Sequence, residues 1–166
     1  MRRQAILACR YARVHARACA LAAQRRGFRV YVTRTERGAF IETFGHDTGI
    51  RVVDHRELEA RALSRVDVAK PLRLVDLRGP GLARLGADGE LLTGSYAQAW
   101  ALALHEHPST PDGIAYRARH DPDQVSAALF ERARPSITTT TLGAFSDARL
   151  ATLLADLLDV YDFGLV

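Results

Sequence analysis

The sequence has little of what would place it in a specialised class. Its two cysteines, Cys9 and Cys19, both fall in the first twenty residues. That argues against an extracellular disulfide scaffold and makes a reducing cytoplasm the expected compartment. No apolar run approaches the roughly 18 residues of a membrane span, since Arg or Asp interrupts every stretch, so no membrane partner is expected. No GxGxxG follows a strand-like run, no GxxxxGK[ST] occurs, and no paired-Cys metal spacing is present. His46, His55, His105, His107 and His120 are scattered, and no metal site is expected. His105 and His107 stand near a helix end, where they suit the C-terminal dipole or solvent better than a metal ion.

Acidic residues are missing from one region. Residues 1–30 contain eight arginines and no acid, while the rest of the chain carries 15 basic groups against all 19 acids. The formal net charge of +4 therefore hides a basic leader on a mildly acidic body. Composition leaves three readings of the leader, residues 1–27, open. It is a basic helix whose guanidinium forks meet phosphate. It is a targeting peptide, Arg-rich but short of Ser. Or it is not a selected segment at all, but a GC-rich frame read out of phase or from a wrong start. A disordered or non-native leader before a domain at 28–166 is the expected division. With 166 residues, the chain has room for one domain with a real core.

From Phe28 the texture becomes that of a folded domain. FRVYV (28–32) is a strand by its β-branched and aromatic content, and GAFIETF (38–44) opens a helical turn. IRVVD (50–54) is a second short strand. Leu58, Ala62 and Val66 recur at four-residue spacing and predict a helix over 55–66. LRLVDL (72–77) is a strand, and GLARLG is a short helical turn closed by Asp88-Gly89. Ser95 is placed to cap YAQAWALALHEH, with Trp100, Ala103 and Leu104 on its buried face. GIAYRAR (113–119) and SAALFERA (126–133) are strands. Ser146 is placed to cap the amphipathic run DARLATLLADLLDV, whose Leu150, Leu153, Leu154, Leu157 and Leu158 follow the helical period. YDFGLV closes the chain as an edge strand. Thr138–Thr141 is a low-complexity tract. Strands and short helices mix without strict βαβ alternation, which predicts an α+β fold.

Three stretches, in order, carry a resemblance. The first is VYVTRTERGAFIETFG, a strand with an aromatic, then Ala, then Glu on the following helix. The second is LRLVDLRG, followed at a distance by SYAQAWALALHEH. The third is DGIAYRARHDPDQVSAALFERA. Together they resemble the RES domain, named for an Arg, a Glu and a Ser, and span roughly residues 28–133. The resemblance implies an ADP-ribosyltransferase-like fold: a mixed-sheet core with short flanking helices. It implies the toxin of a toxin–antitoxin pair, which breaks NAD⁺ at the nicotinamide–ribose bond with phosphate, water or a protein as acceptor. NAD⁺ is then a substrate, and no cofactor is implied. The implied partner is a small helix-turn-helix antitoxin, through which alone nucleic acid would be met.

The resemblance assigns roles residue by residue. Glu42 is the carboxylate that would stabilise an oxocarbenium-like ribose. Tyr31 is the strand aromatic that would stack on nicotinamide or bond the ribose. Arg119 would grip pyrophosphate or the attacking phosphate, with Tyr116 beside it as a second substrate-binding residue. The family's Ser falls on Ala118, in YRAR where YxSR is expected, and a methyl has no hydrogen bond to offer. Ser126 is not expected to replace it. The family's first Arg has no matching context, with Arg25, Arg26 and Arg29 filling the region. Three functions follow: an NAD⁺-cleaving toxin domain, intact or impaired; a non-catalytic relative that binds an antitoxin or NAD without turnover; or nucleic-acid binding through the leader.

Overall fold

A computed structural model of the chain describes residues 6–9, 14–17, 29–45, 49–86 and 96–166. In chain order the strands are β1 (Ile6–Cys9), β2 (Val14–Arg17), β3 (Arg29–Thr33), β4 (Val52–Val53), β5 (Ala62–Val68), β6 (Leu72–Asp76), β7 (Gly113–Arg117), β8 (Val125–Phe130), β9 (Ile137–Ala144) and β10 (Gly164–Leu165). The helices are α1 (Glu36–Phe44), α2 (His55–Glu59), α3 (Pro80–Arg84), α4 (Tyr96–His105) and α5 (Ala151–Tyr161).

Eight strands form one sheet in the order β1-β6-β7-β8-β3-β2-β5-β9, and β10 and β4 form a parallel two-stranded sheet. In the large sheet β6 and β7 are parallel and every other pair is antiparallel, so the sheet is mixed and the class is α+β. The parallel pair needs a long crossover, and α3 and α4 lie within it.

At the centre of the sheet, β8 is buried at all six positions. Its alternation sends Ala127 and Leu129 to one face, where they pack with Val32, Val66, Leu72, Leu74 and Ala115. Phe130, on the opposite face, packs with Ile114, Leu77 and the α4 residues Ala101 and Leu104. A third cluster joins α1 to α5 and β4 around Phe40, which is fully buried. Phe44, Phe145 and Phe163 lie 4.9–6.2 Å from the Phe40 ring, and each such pair contributes about 1 kcal/mol beyond burial.

Three local expectations are corrected. The helix over 55–66 ends at Glu59, and Ala62–Val68 is strand β5. Four-residue spacing of Leu58, Ala62 and Val66 fits one helical face, but pairing with β9 along the whole strand outweighs it. Ser146 does not cap the last helix: the Asp147 side chain accepts from the Arg149 amide and caps a 3-10 turn at Ala148–Leu150, and α5 follows with Leu150 at its N-cap and no side-chain cap bond. The strand over 126–133 stops at Phe130, where a 3-10 turn (Glu131–Ser136) containing Pro135 takes over. The threonine tract at 138–141 is the middle of edge strand β9, and its four side chains are exposed. The terminal segment contributes β10, pairing with β4. Ser95, His46 and the Asp88-Gly89 turn lie outside the described residues, as does most of the leader. The two leader segments that are described, β1 and β2, pair with β6 and with β3 and β5 respectively.

Candidate active site

Register brings two cross-strand rows onto the sheet face covered by α1. Thr33, Ser126 and Tyr116 lie opposite one another across β3, β8 and β7, and Tyr31, Ala128 and Ile114 form the next row. The short side chains of Ser126 and Ala128 stand on β8 between the strands that carry the two tyrosines. Tyr31 and Tyr116 are close enough to interact electrostatically.

α1 lies close over this face. A Cβ on Gly38 would come within 2.9 Å of the Thr33 Cβ, so a larger residue there would push the helix off the sheet. Thr35 caps the helix by accepting from the Gly38 amide at 3.0 Å. The buried Thr33 hydroxyl donates to the Thr35 carbonyl at 2.7 Å, tying the strand end to the cap. This short, pinned helix carries Glu42 in its last turn.

A carboxylate there opposes the negative end of the helix dipole, and α1 has no basic residue in that turn to offset it. Two donors do so instead. The Tyr116 phenol is hydrogen-bonded to Glu42, and the backbone N–H of Arg119 donates to Glu42 Oε1 at 3.3 Å. Burial and the nearby Glu42 charge push the Tyr116 phenol far above its usual range, so it remains a neutral donor at any physiological pH.

Arg119 is the second residue of the β7–β8 loop, which is tied down along its length. Ala118 N–H donates to Gln124 O at 3.0 Å, and Arg117 Nη1 donates to Pro122 O at 3.1 Å. Gln124 Oε1 accepts from the Thr35 hydroxyl of the α1 cap. Asp121 Oδ2 accepts from the Tyr161 hydroxyl of α5 at 2.6 Å. The Arg119 amide is thus held on Glu42 by contacts with both helices, while its side chain is exposed.

Among the residues singled out from sequence, Glu42, Tyr31 and Tyr116 are brought together, and Arg119 reaches them through its amide. Ala118 is buried at 2% exposure, immediately before that amide. Ser126 lies within the same constellation, directly opposite Tyr116, and is also only 2% exposed. It was not expected to contribute, because nine intervening residues hide its cross-strand pairing with Tyr116. The alternation of β8, which sends Ser126 to the face of Ala128 and Phe130, was the available signal. His105 packs its ring edge-on against Phe130 at 5.1 Å, and His107 Nδ1 pairs with the Ser109 hydroxyl at 2.8 Å. Among the described residues no group of three His, Cys, Asp or Glu gathers as metal ligands would, and no helix is long and apolar enough to cross a membrane.

The family model of the RES domain matches residues 12–146, most of the chain and the whole constellation above. The chain belongs to the RES family. This RES protein is also 30% identical over 113 residues to "Probable toxin y4kH" of Sinorhizobium fredii (strain NBRC 101917 / NGR234), a match covering 66% of this chain and 87% of that protein. Its fold is similar to a chain in the crystal structure of the M. tuberculosis MbcT–MbcA toxin–antitoxin complex. There the TM-score is 0.50 at 17% identity, covering 78% of this RES protein and 72% of that chain. At that identity the likeness shows the fold alone, and the fold agrees with the α+β, mixed-sheet class expected from sequence.

Proposed function

We propose that this RES-domain protein is a toxin of a toxin–antitoxin pair and cleaves NAD⁺ at the nicotinamide–ribose bond. The observation that carries the reading is a carboxylate, Glu42, placed against its helix dipole and held by a neutral phenol and a backbone amide beside a second tyrosine. In the reaction the C1′–N bond breaks, its electron pair leaves with neutral nicotinamide, and an oxygen of the acceptor bonds to C1′. The acceptor is water, phosphate or a protein side chain, and its proton is lost to solvent. Positive charge grows on the ribose before the acceptor arrives, and Glu42 is the group that stabilises it. Tyr31 supplies a ring for the nicotinamide or a hydroxyl for the ribose. Tyr116 keeps the carboxylate in place, and the exposed Arg119 guanidinium suits the pyrophosphate or an attacking phosphate. A small helix-turn-helix antitoxin is the proposed partner, in the cytoplasm. The name of the relative y4kH and the toxin–antitoxin context of the fold neighbour support this reading.

The test is to incubate the full chain with NAD⁺, with and without phosphate, and follow nicotinamide release. Release that Glu42→Gln abolishes supports the proposal, and release no greater than that of the variant sinks it. Ala118 favours a second reading: its buried methyl occupies the position where the family carries a hydroxyl. In that reading the protein binds an antitoxin, or NAD without turnover, and NAD⁺ raises the thermal midpoint with no chemistry. If the missing hydroxyl is what limits the chain, Ala118→Ser raises turnover, and an unchanged rate rejects that account.

A further inference from the structure

A buried hydroxyl stands in this site with no structural duty assigned to it. Ser126 Oγ is fully buried and completes no hydrogen bond of regular geometry. Its two cross-strand neighbours both carry hydroxyls. Thr33, on one side, spends its proton on the Thr35 carbonyl. Tyr116, on the other, is hydrogen-bonded to Glu42. Val or Ala would fill this strand position without bringing a polar atom into a buried row, so an unsatisfied hydroxyl there needs a reason.

Geometry offers one. A phenol oxygen can donate its own proton and accept another. Tyr116 directs its proton to Glu42, and its oxygen keeps lone pairs that can accept from the hydroxyl of its cross-strand neighbour. A serine proton turned onto those lone pairs would polarise the phenol and strengthen its bond to the carboxylate. We propose that Ser126 is a positioning residue: its hydroxyl donates to the Tyr116 oxygen and so fixes the phenol that holds Glu42 in place. The chain Ser126 to Tyr116 to Glu42, closed from the other side by the Arg119 amide, runs inward from β8 to the carboxylate. Electrostatics agree in sign, since Ser126 lowers the Tyr116 titration where Glu42 raises it. No bond is made or broken at Ser126, and its buried side chain touches no substrate.

The kinetic part of this inference rests on the NAD⁺-cleaving reading, while the hydrogen bond does not. Both are tested on the full chain labelled with ¹³Cζ-tyrosine, the Tyr116 resonance being assigned with Tyr116→Phe. Ser126→Ala is expected to move that resonance and to lower kcat for nicotinamide release about tenfold, leaving KM within about twofold. Ser126→Cys, nearly isosteric with a weaker donor, is expected to fall between, and it takes over the test if the alanine variant does not fold. An unmoved Tyr116 resonance in a folded variant overturns the proposal. So does a change confined to KM. If the wild-type chain releases no nicotinamide, the NAD⁺ reading fails by itself, and the resonance still decides whether Ser126 holds Tyr116.

Discussion

Two tyrosine–carboxylate pairs flank α1, and they resemble each other chemically far more than they do in role. On the sheet side Tyr116 is bonded to Glu42, and on the α5 side Tyr161 donates to Asp121 at 2.6 Å. Burial and a neighbouring carboxylate raise both phenols above their ordinary range, and in both cases burial is the larger cause. What differs is the surroundings. Glu42 sits in a helix turn that disfavours it, among Tyr31, Tyr116 and the Arg119 amide, whereas Asp121 lies in a loop where it also accepts from the Asp123 amide at 3.1 Å. The second pair fastens the loop, and in the proposed reading the first arranges the charge that meets the ribose. A perturbed phenol alone therefore does not mark a site. The partner's reason for being there does.

Substitutions separate the two pairs, with the largest effect expected at Glu42. Glu42→Gln keeps the shape and removes the charge, so nicotinamide release is expected to fall roughly a hundredfold or more with the thermal midpoint nearly unchanged. A variant that loses stability but keeps its rate would make Glu42 structural like Asp121. Tyr116→Phe is expected to lower kcat about tenfold, since the Arg119 amide still holds one carboxylate oxygen. The same variant carries a pH signature. The folded-state Tyr116 phenol titrates above its unfolded value of 10.0, so its contribution to stability is complete below that pH. As pH rises past it the unfolded chain gives up the proton first, and that contribution is lost. Thermal midpoints measured from about pH 9 to about pH 11 should therefore fall more steeply for wild type than for Tyr116→Phe, and parallel curves would count against a buried phenol. Tyr161→Phe has the smallest effect, about 1 kcal/mol by denaturant unfolding, with turnover changed less than twofold. A large loss of turnover there would mean that fastening the Arg119 loop is itself rate-determining.

Much of the fold was legible locally. β-branched and aromatic content located β3, alternation located β7, and the leucine period located α5, whose Leu154 and Leu157 are buried. The failures came where the local signal was misleading or missing. Residues 55–66 have helical spacing, but their second half belongs to a strand because β9 lies alongside to pair with it. The threonine run of β9 has no alternation to read, as both its faces are largely open to solvent. Glu42, Tyr31, Tyr116 and Arg119 were reached through motif order rather than periodicity. Their spacing in sequence, 77 residues between Glu42 and Arg119, contains no hint of a 3.3 Å contact.

By itself the sequence determined the α+β class, the RES relationship and which residue types were available for chemistry, because these depend on composition, local period and motif order. The tertiary structure decided which of them meet. Strand register put Ser126 opposite Tyr116, and the close approach of α1 at Gly38 set Glu42 over that row. Two helices pinned the loop that delivers the Arg119 amide. Register and close approach are properties of pairs of segments, fixed by how the whole sheet packs, and no window of one strand contains them.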